Sequence, residues 1–106
     1  MPCEKFIFEG FIPSKKGKQT KLKEILDHSY TTVFYESPHR VLKTIIQLIE
    51  LGDKDRMASF SREIRKLYEE SFTGTLEEIK SHLESKQAIK GEFVVVIAGK
   101  NYTSHL

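Results

Sequence analysis

The chain contains little cysteine, no tryptophan and no long apolar segment. With Cys3 as the only cysteine, an internal disulfide is excluded and a reducing compartment is favoured, so we expect a cytoplasmic protein. No apolar run approaches the length of a membrane span and no segment is typical of a signal peptide, so we predict no membrane partner. The four histidines show no ligand spacing among themselves or with Cys3, which predicts no metal site.

Several motifs of complete enzymes are also missing. No glycine-rich phosphate loop follows the first predicted strand, and there is no nucleophile elbow. The 106 residues, 39% of them hydrophobic, are enough for one domain with a buried core. We therefore interpret the chain as part of a larger enzyme, with one domain over residues 1–100 and a frayed tail over 101–106.

The pattern of apolar residues predicts an α/β fold. Alternating and β-branched runs predict strands, and stripes with helical spacing predict helices. The predicted strands are 6–11, 31–36, 56–61, 69–73 and 93–97, and the predicted helices lie near 22–28, 38–51 and 75–83. This order predicts a sheet of roughly five strands packed with about three helices, in two or three layers.

Two segments allow more detailed predictions. Thr75 with Glu78 predicts a capping box, and the continuous apolar run 93–97 predicts a central strand that is buried on both faces. The charged segment 62–68 is interpreted as a loop or short turn.

The segment 35–40 (YESPHR) lies between a predicted strand and a predicted helix. Ser37 is expected as the N-cap, Pro38 as the first helical residue and Gly52 as the C′ residue. A helix N-terminus at the end of a strand is a place where α/β proteins bind ligands. The alternative is a capping pair that binds nothing.

Lysines are concentrated near the first predicted helix. Lys15, Lys16, Lys18, Lys21 and Lys23 lie in a segment with no acid between Glu9 and Glu24. Such a cluster can contact phosphates, but a solvated loop and helix start would have the same composition.

Four ordered blocks carry a family resemblance. They are residues 8–17 (FEGFIP, then KKG), 31–40 (TTVFYESPHR), 62–76 (REIRK, then EE and GTL) and 90–92 (KGE) before the last strand. Through these blocks, residues 2–100 resemble the C-terminal domain of the ribosomal RNA small-subunit methyltransferase I family. That family lies within the tetrapyrrole (corrin/porphyrin) methylase superfamily, whose C-terminal domain contains a mixed sheet.

The resemblance implies a two-domain enzyme that uses S-adenosylmethionine, held in the cleft between the domains. It implies 2′-O-methylation of a cytidine in small-subunit ribosomal RNA, with the small ribosomal subunit and the protein's own N-terminal domain as partners and a possible homodimer. The resemblance also implies that the N-terminal domain is absent from this chain. Because methyl transfer depends on positioning both reactants, we expect the chain alone to be inactive and to bind the cofactor weakly if at all.

The resemblance also implies roles for individual residues. Cofactor contacts are expected from Tyr35, Glu36, Ser61 and Arg62. RNA contacts are expected from Lys15, Lys16, Lys18, Arg40 and Lys66, since cationic side chains suit phosphate. The candidates for taking the proton from the 2′-hydroxyl are Glu36, Glu63 and Lys66.

Alternatives remain for these residues and for the chain. Arg62, Glu63, Glu69 and Glu70 can instead form an ion-pair network between neighbouring loops. The sequence departs from the family pattern at Arg65 and Thr73, which removes a hydroxyl and an arginine from that block. The chain can also be half of a tetrapyrrole methylase, or a free-standing RNA-binding or dimerisation module.

Overall fold

The computed structural model describes residues 6–52, 54–65, 68–86 and 91–101. Its elements follow one another as β1 (Phe6–Phe11), α1 (Lys18–Asp27), β2 (Thr31–Glu36), α2 (Val41–Leu51), β3 (Met57–Arg65), β4 (Tyr68–Thr75), α3 (Leu76–Glu84) and β5 (Phe93–Ile97). The predicted α/β fold of five strands and three helices is confirmed. Cys3, Lys66, His105 and residues 102–106 of the predicted tail lie outside the described residues. Within the described ranges, no helix is both long and apolar enough to cross a bilayer.

The five strands form one mixed sheet in the order β1-β2-β5-β3-β4. β1 and β2 are parallel, and each of the other neighbouring pairs is antiparallel. It follows that β1, β2 and β3 run in the same direction and end at one edge of the sheet. We call this edge the carboxyl edge.

The core lies between the helices and one face of the sheet. Phe34, Phe60 and Phe93 project from three neighbouring strands into a single cluster with the apolar faces of the helices, including Leu22, Leu48 and Ile79. β5 alternates between buried and half-buried residues, so the prediction that it is buried on both faces is wrong. The domain therefore has two layers, with an open face on the other side of the sheet.

An irregularity in β1 concentrates aromatic rings on the open face. The register with β2 shifts between Phe8 and Gly10, and Gly10 adopts a positive φ of 66°, which glycine tolerates without strain. As a result Phe8 and Phe11 lie on the same face, each with its ring 5.3 Å from the ring of Tyr35. Phe8 is 55% exposed and Phe11 63% exposed.

The capping prediction for α3 is confirmed, and the one for α2 is wrong. The Thr75 hydroxyl accepts from the backbone N–H of Glu78, whose carboxylate accepts from the backbone N–H of Thr75. α2 begins at Val41, after a turn in which the backbone carbonyl of Ser37 accepts from the backbone N–H groups of Arg40 and Val41. Pro38 lies within that turn and is not helical.

The prediction of a loop or short turn over 62–68 is wrong for residues 62–65 and 68, which belong to strands. β3 continues to Arg65, and Arg62 pairs with Glu70 on β4. The charges that suggested a loop are accommodated because Arg62 faces the helices and is bound there by a cross-strand carboxylate. β4 correspondingly begins at Tyr68 and extends to Thr75.

Candidate functional site

The carboxyl edge brings together the blocks that are distant in sequence. The ends of β1, β2 and β3 lead into the basic segment, the YESPHR segment and the charged end of β3, and β5 begins beside them. The helices α1 and α2 also begin at this edge, because each follows a strand that ends there. An edge of this kind, where strands end and helices start, is where open α/β sheets bind ligands.

Glu36 is the centre of a buried hydrogen-bond cluster at this edge. Only 2% of the surface of Glu36 is exposed. One carboxylate oxygen accepts from the backbone N–H of Ser37 at 2.9 Å and from Arg40 Nε at 3.3 Å, and the other accepts from the Thr44 hydroxyl at 2.7 Å. Both oxygens are therefore used to join the end of β2 to the first turns of α2. This geometry favours an anchoring function for Glu36 over proton transfer, although its catalytic assignment stays a prediction.

Lys18 lies in the same region and differs from the other lysines of the basic segment. It is 5% exposed, whereas Lys15 and Lys16 are exposed on the surface. Burial lowers the pKa of its ammonium group more than the nearby Glu36 carboxylate raises it, and two cations lower it further. Those cations are Lys43 and Arg40.

The four residues predicted to contact the cofactor occupy two adjacent rows across the sheet. Tyr35 and Ser61 both pair with Val94, so they flank it on the open face, about 10 Å apart across two strand spacings. Glu36 and Arg62 both pair with Phe93 on the helix side. The structure therefore brings all four close together, but only the first pair faces the open side.

Arg62 is held by its own chain on the helix side of the sheet. Its Nε donates to Glu70 at 2.7 Å, and its guanidinium lies over the Phe93 ring at 5.4 Å from the centroid. His82 at 3.4 Å and Lys86 at 3.2 Å also contact the Glu70 carboxylate. Burial alone would raise the pKa of Glu70, but the hydrogen bonds from these three groups outweigh it and lower that pKa.

The predicted ion pair between Arg62 and Glu70 is therefore present, but it joins two adjacent strands, whereas the prediction placed it between loops. Glu63 and Glu69 are exposed and lie opposite each other on β3 and β4, and within the described ranges neither carboxylate has an ion-pair partner. Glu63 keeps a carboxylate that solvent can reach at the carboxyl edge. Its catalytic assignment also stays a prediction.

The residues predicted to contact RNA are distributed unevenly. Lys15 and Lys16 are exposed at the carboxyl edge, and the Arg40 side chain is 43% exposed beside Glu36. Lys21 is neutralised by Glu9 at 3.0 Å and Glu24 at 3.1 Å. The sequence did not predict the burial of Lys18 or the hydrogen bond from the Thr44 hydroxyl to Glu36, because neither feature has a local signal in the sequence.

The described residues contain no group of three His, Cys, Asp or Glu side chains placed to hold a metal ion. The absence of a metal site stays a prediction for the whole chain.

Two solved structures share the fold. One is a cobalamin biosynthetic enzyme, cobalt precorrin-4 methyltransferase, with a TM-score of 0.59 and 12% identity, covering 91% of this chain and 42% of that one. The other is the methyltransferase CobJ, with a TM-score of 0.61 and 15% identity, covering 94% of this chain and 44% of that one. The fold is therefore that of a domain of the tetrapyrrole methylase type, as predicted.

Sequence comparison gives closer relatives, and the two reported below are both named ribosomal RNA small subunit methyltransferase I. The Thermotoga maritima protein is 41% identical over 99 residues, which are 93% of this chain and 44% of that protein. The Halalkalibacterium halodurans protein is 43% identical over 101 residues, which are 93% of this chain and 34% of that protein. No protein-family model matches the chain. The predicted resemblance is confirmed. The chain spans less than half the length of these two methyltransferases.

Proposed function

We propose that this chain is the C-terminal part of a cytoplasmic, S-adenosylmethionine-dependent methyltransferase that modifies the 2′-hydroxyl of a cytidine in small-subunit ribosomal RNA. The observation that carries the proposal is the high identity to proteins of that name over 93% of the chain. The convergence of the matching blocks at one edge of the sheet supports it, because separate motifs that form one site are expected to meet in the fold.

The remainder of the enzyme is proposed to supply the other side of the cofactor cleft. The relatives are more than twice as long as the matching region. The open face exposes Phe8 and Phe11, and an apolar patch of this kind is typical of a surface that packs against another unit. The isolated chain is accordingly expected to be inactive, because one side of a cleft cannot hold cofactor and ribose in line.

The geometry divides the proposed cofactor residues into two groups. S-adenosylmethionine supplies an electrophilic methyl group, and we infer that Tyr35 and Ser61, which flank Val94 on the open face, contact its adenosine. Ser61 has a hydroxyl 3.1 Å from that of Ser71, so it can turn toward a ligand at small cost. Glu36 and Arg62 support those two strands from the helix side.

The proposal is tested with a chimera of the Thermotoga maritima relative in which this chain replaces the matching region. We expect the chimera to transfer a labelled methyl group from S-adenosylmethionine to small ribosomal subunits. Mapping should place it on the 2′-oxygen of a cytidine. The chain alone should transfer nothing and show no tight binding of the cofactor by calorimetry. Methylation of a base, or of a tetrapyrrole in place of RNA, would contradict the proposal, as would activity of the chain alone.

The RNA surface is tested in the same chimera by neutralising exposed lysines. Lys15→Gln with Lys16→Gln should weaken binding to small subunits and reduce the slope of log affinity against log salt by about 1–2, one for each phosphate contact. Lys54→Gln is the matched control, since Lys54 is also exposed but precedes β3 at the opposite edge. Equal effects of both changes would show that this lysine pair makes no specific phosphate contact.

A further inference from the structure

The beginnings of α1 and α2 meet at the carboxyl edge, where the Glu36 carboxylate lies beside the start of α2. In neither helix does a side chain cap the N-terminus, and neither has an acidic residue in its first turn. α3 is different, since Thr75 caps it and two glutamates lie in its first turn. Helix N-termini present partial positive charge and free N–H groups, so two that start at one edge favour an anion there.

Lys18 supplies an independent observation at the same place. It is the first residue of α1 and 95% of its surface is buried, yet within the described ranges no carboxylate lies within 4 Å of its ammonium and no group accepts a hydrogen bond from it. A largely buried cation without a partner is costly, because burial removes most of the water that would otherwise solvate it. Such a residue is expected to persist where it binds a ligand of opposite charge.

A hydroxyl group at the start of the α2 turn is also without a partner. Ser37 Oγ is enclosed, and no described residue makes a hydrogen bond with it. Ser37 follows Glu36, whose carboxylate already accepts from three groups and so has little capacity left to neutralise Lys18. Besides Glu36, the charges that act on Lys18 are those of Lys43 and Arg40, so this region has three cations and one carboxylate.

We propose that Lys18, Ser37 and Arg40 form an oxyanion subsite at the ends of β1 and β2, which binds a phosphate or carboxylate group of a ligand. Lys18 provides the buried charge, Arg40 a partly exposed guanidinium at the entrance, and Ser37 a hydroxyl donor. Glu36 is the positioning residue that fixes Ser37 and Arg40. The inference rests on the proposed function only for the natural source of the anion, either RNA phosphate or the carboxylate of the cofactor.

The first test is a titration of the chain with inorganic phosphate at constant ionic strength, followed by the backbone amide resonances. Phosphate should shift resonances at the starts of α1 and α2, around residues 17–20 and 37–43. Lys18→Met should weaken phosphate binding by about tenfold or more, the usual effect of losing one charge-assisted hydrogen bond. Lys23→Met is the control, since Lys23 is exposed on the same helix. This variant should bind phosphate with the affinity of the wild type.

The melting temperature without phosphate distinguishes a ligand-binding lysine from a structural one. Lys18→Met should raise it, because the substitution removes an unpaired buried charge and keeps the apolar stem. A structural lysine would lower it on substitution. The proposal is overturned if phosphate shifts no resonance at this edge, or if Lys18→Met binds phosphate as well as the wild type.

The source of the anion is then identified with the chimera. If the cofactor carboxylate is bound, Lys18→Met weakens S-adenosylmethionine but not its decarboxylated analogue. If RNA phosphate is bound, the substitution weakens small subunits and leaves the cofactor unaffected. Since phosphate binding requires no methyl transfer, failure of the chimera to methylate RNA would leave the subsite established, and failure of the phosphate titration would leave the methyltransferase proposal standing.

Discussion

Substitution of Glu36 by glutamine tests what holds the carboxyl edge together. The carboxylate accepts from Ser37, Arg40 and Thr44 and is almost completely buried. Glutamine has nearly the same shape, and the Thr44 hydroxyl can turn to accept from the new amide group. The change therefore keeps most of the contacts and removes mainly the negative charge.

The expected loss of stability follows from the difference between charged and neutral hydrogen bonds. A bond to a charged group contributes about 1.5–3 kcal/mol and a neutral one about 0.5–1.5 kcal/mol. Arg40 contributes least, because its side chain is 43% exposed and water screens the pair. We expect Glu36→Gln to lower the free energy of unfolding by about 2–3 kcal/mol. With a urea m-value of about 1–1.5 kcal/mol/M, the midpoint falls by about 2 M.

The assay is urea unfolding followed by far-ultraviolet circular dichroism. Glu63→Gln is the matched control, because Glu63 is exposed at the same edge, and its effect should stay within about 0.5 kcal/mol. Thr44→Val removes one of the donors to the carboxylate, and combining it with Glu36→Gln should show a coupling of about 1–2 kcal/mol between the two changes. If Glu36→Gln and Glu63→Gln unfold at the same urea concentration, the carboxylate does not anchor the edge and the reasoning is refuted.

Three further predictions concern the rest of the fold. The first concerns Glu70, whose pKa is lowered below the ordinary glutamate value of about 4.3. As the pH falls through this lowered pKa, the wild type should lose the stability that the charged carboxylate contributes, whereas Glu70→Gln lacks that contribution at every pH. The melting temperatures of the two proteins should therefore converge in acid, and parallel curves of melting temperature against pH would contradict this. Gly91→Ala should cost at least about 3 kcal/mol in urea unfolding, because its Cβ would meet the Glu63 carbonyl oxygen at a φ of 86°. Gly10→Ala should cost only about 1–2 kcal/mol, since its Cβ would meet nothing, and equal losses would refute the steric argument. Leu48→Ala should lower the free energy of unfolding by about 3–4 kcal/mol, because Leu48 is fully buried in the core, and a loss under about 1 kcal/mol would place it elsewhere.

The parts of the fold that depend on local signals were predictable from the sequence. The apolar and β-branched runs located β1, β2 and β5, and the spacing of Thr75 and Glu78 located the start of α3. These signals work because a strand or cap is specified by residues a few positions apart. The family resemblance added the mixed sheet and the grouping of Tyr35, Glu36, Ser61 and Arg62 at one cofactor site.

The parts that depend on distant partners were not predictable in the same way. The charged end of β3 resembled a loop because Arg62 becomes acceptable in a strand only when Glu70 lies opposite. Ser37 resembled an N-cap because nothing local shows that residues 38–40 form a turn and that the helix begins only at Val41. Lys18 resembled its exposed neighbours, because its burial depends on how α1 packs beside α2, which is distant from it in the sequence.

The aromatic side of β1 has a practical consequence for handling this polypeptide by itself. β1 is one of the two edge strands of the sheet, and its outer N–H and C=O groups pair with no strand of the described chain. Phe6, Phe8 and Phe11 lie along it, each more than half exposed. An edge strand with exposed apolar side chains and unpaired backbone groups is a template with which a strand of a second molecule can pair. Light scattering should accordingly rise with protein concentration while the circular dichroism spectrum stays native, and dilute samples will give the cleanest titrations.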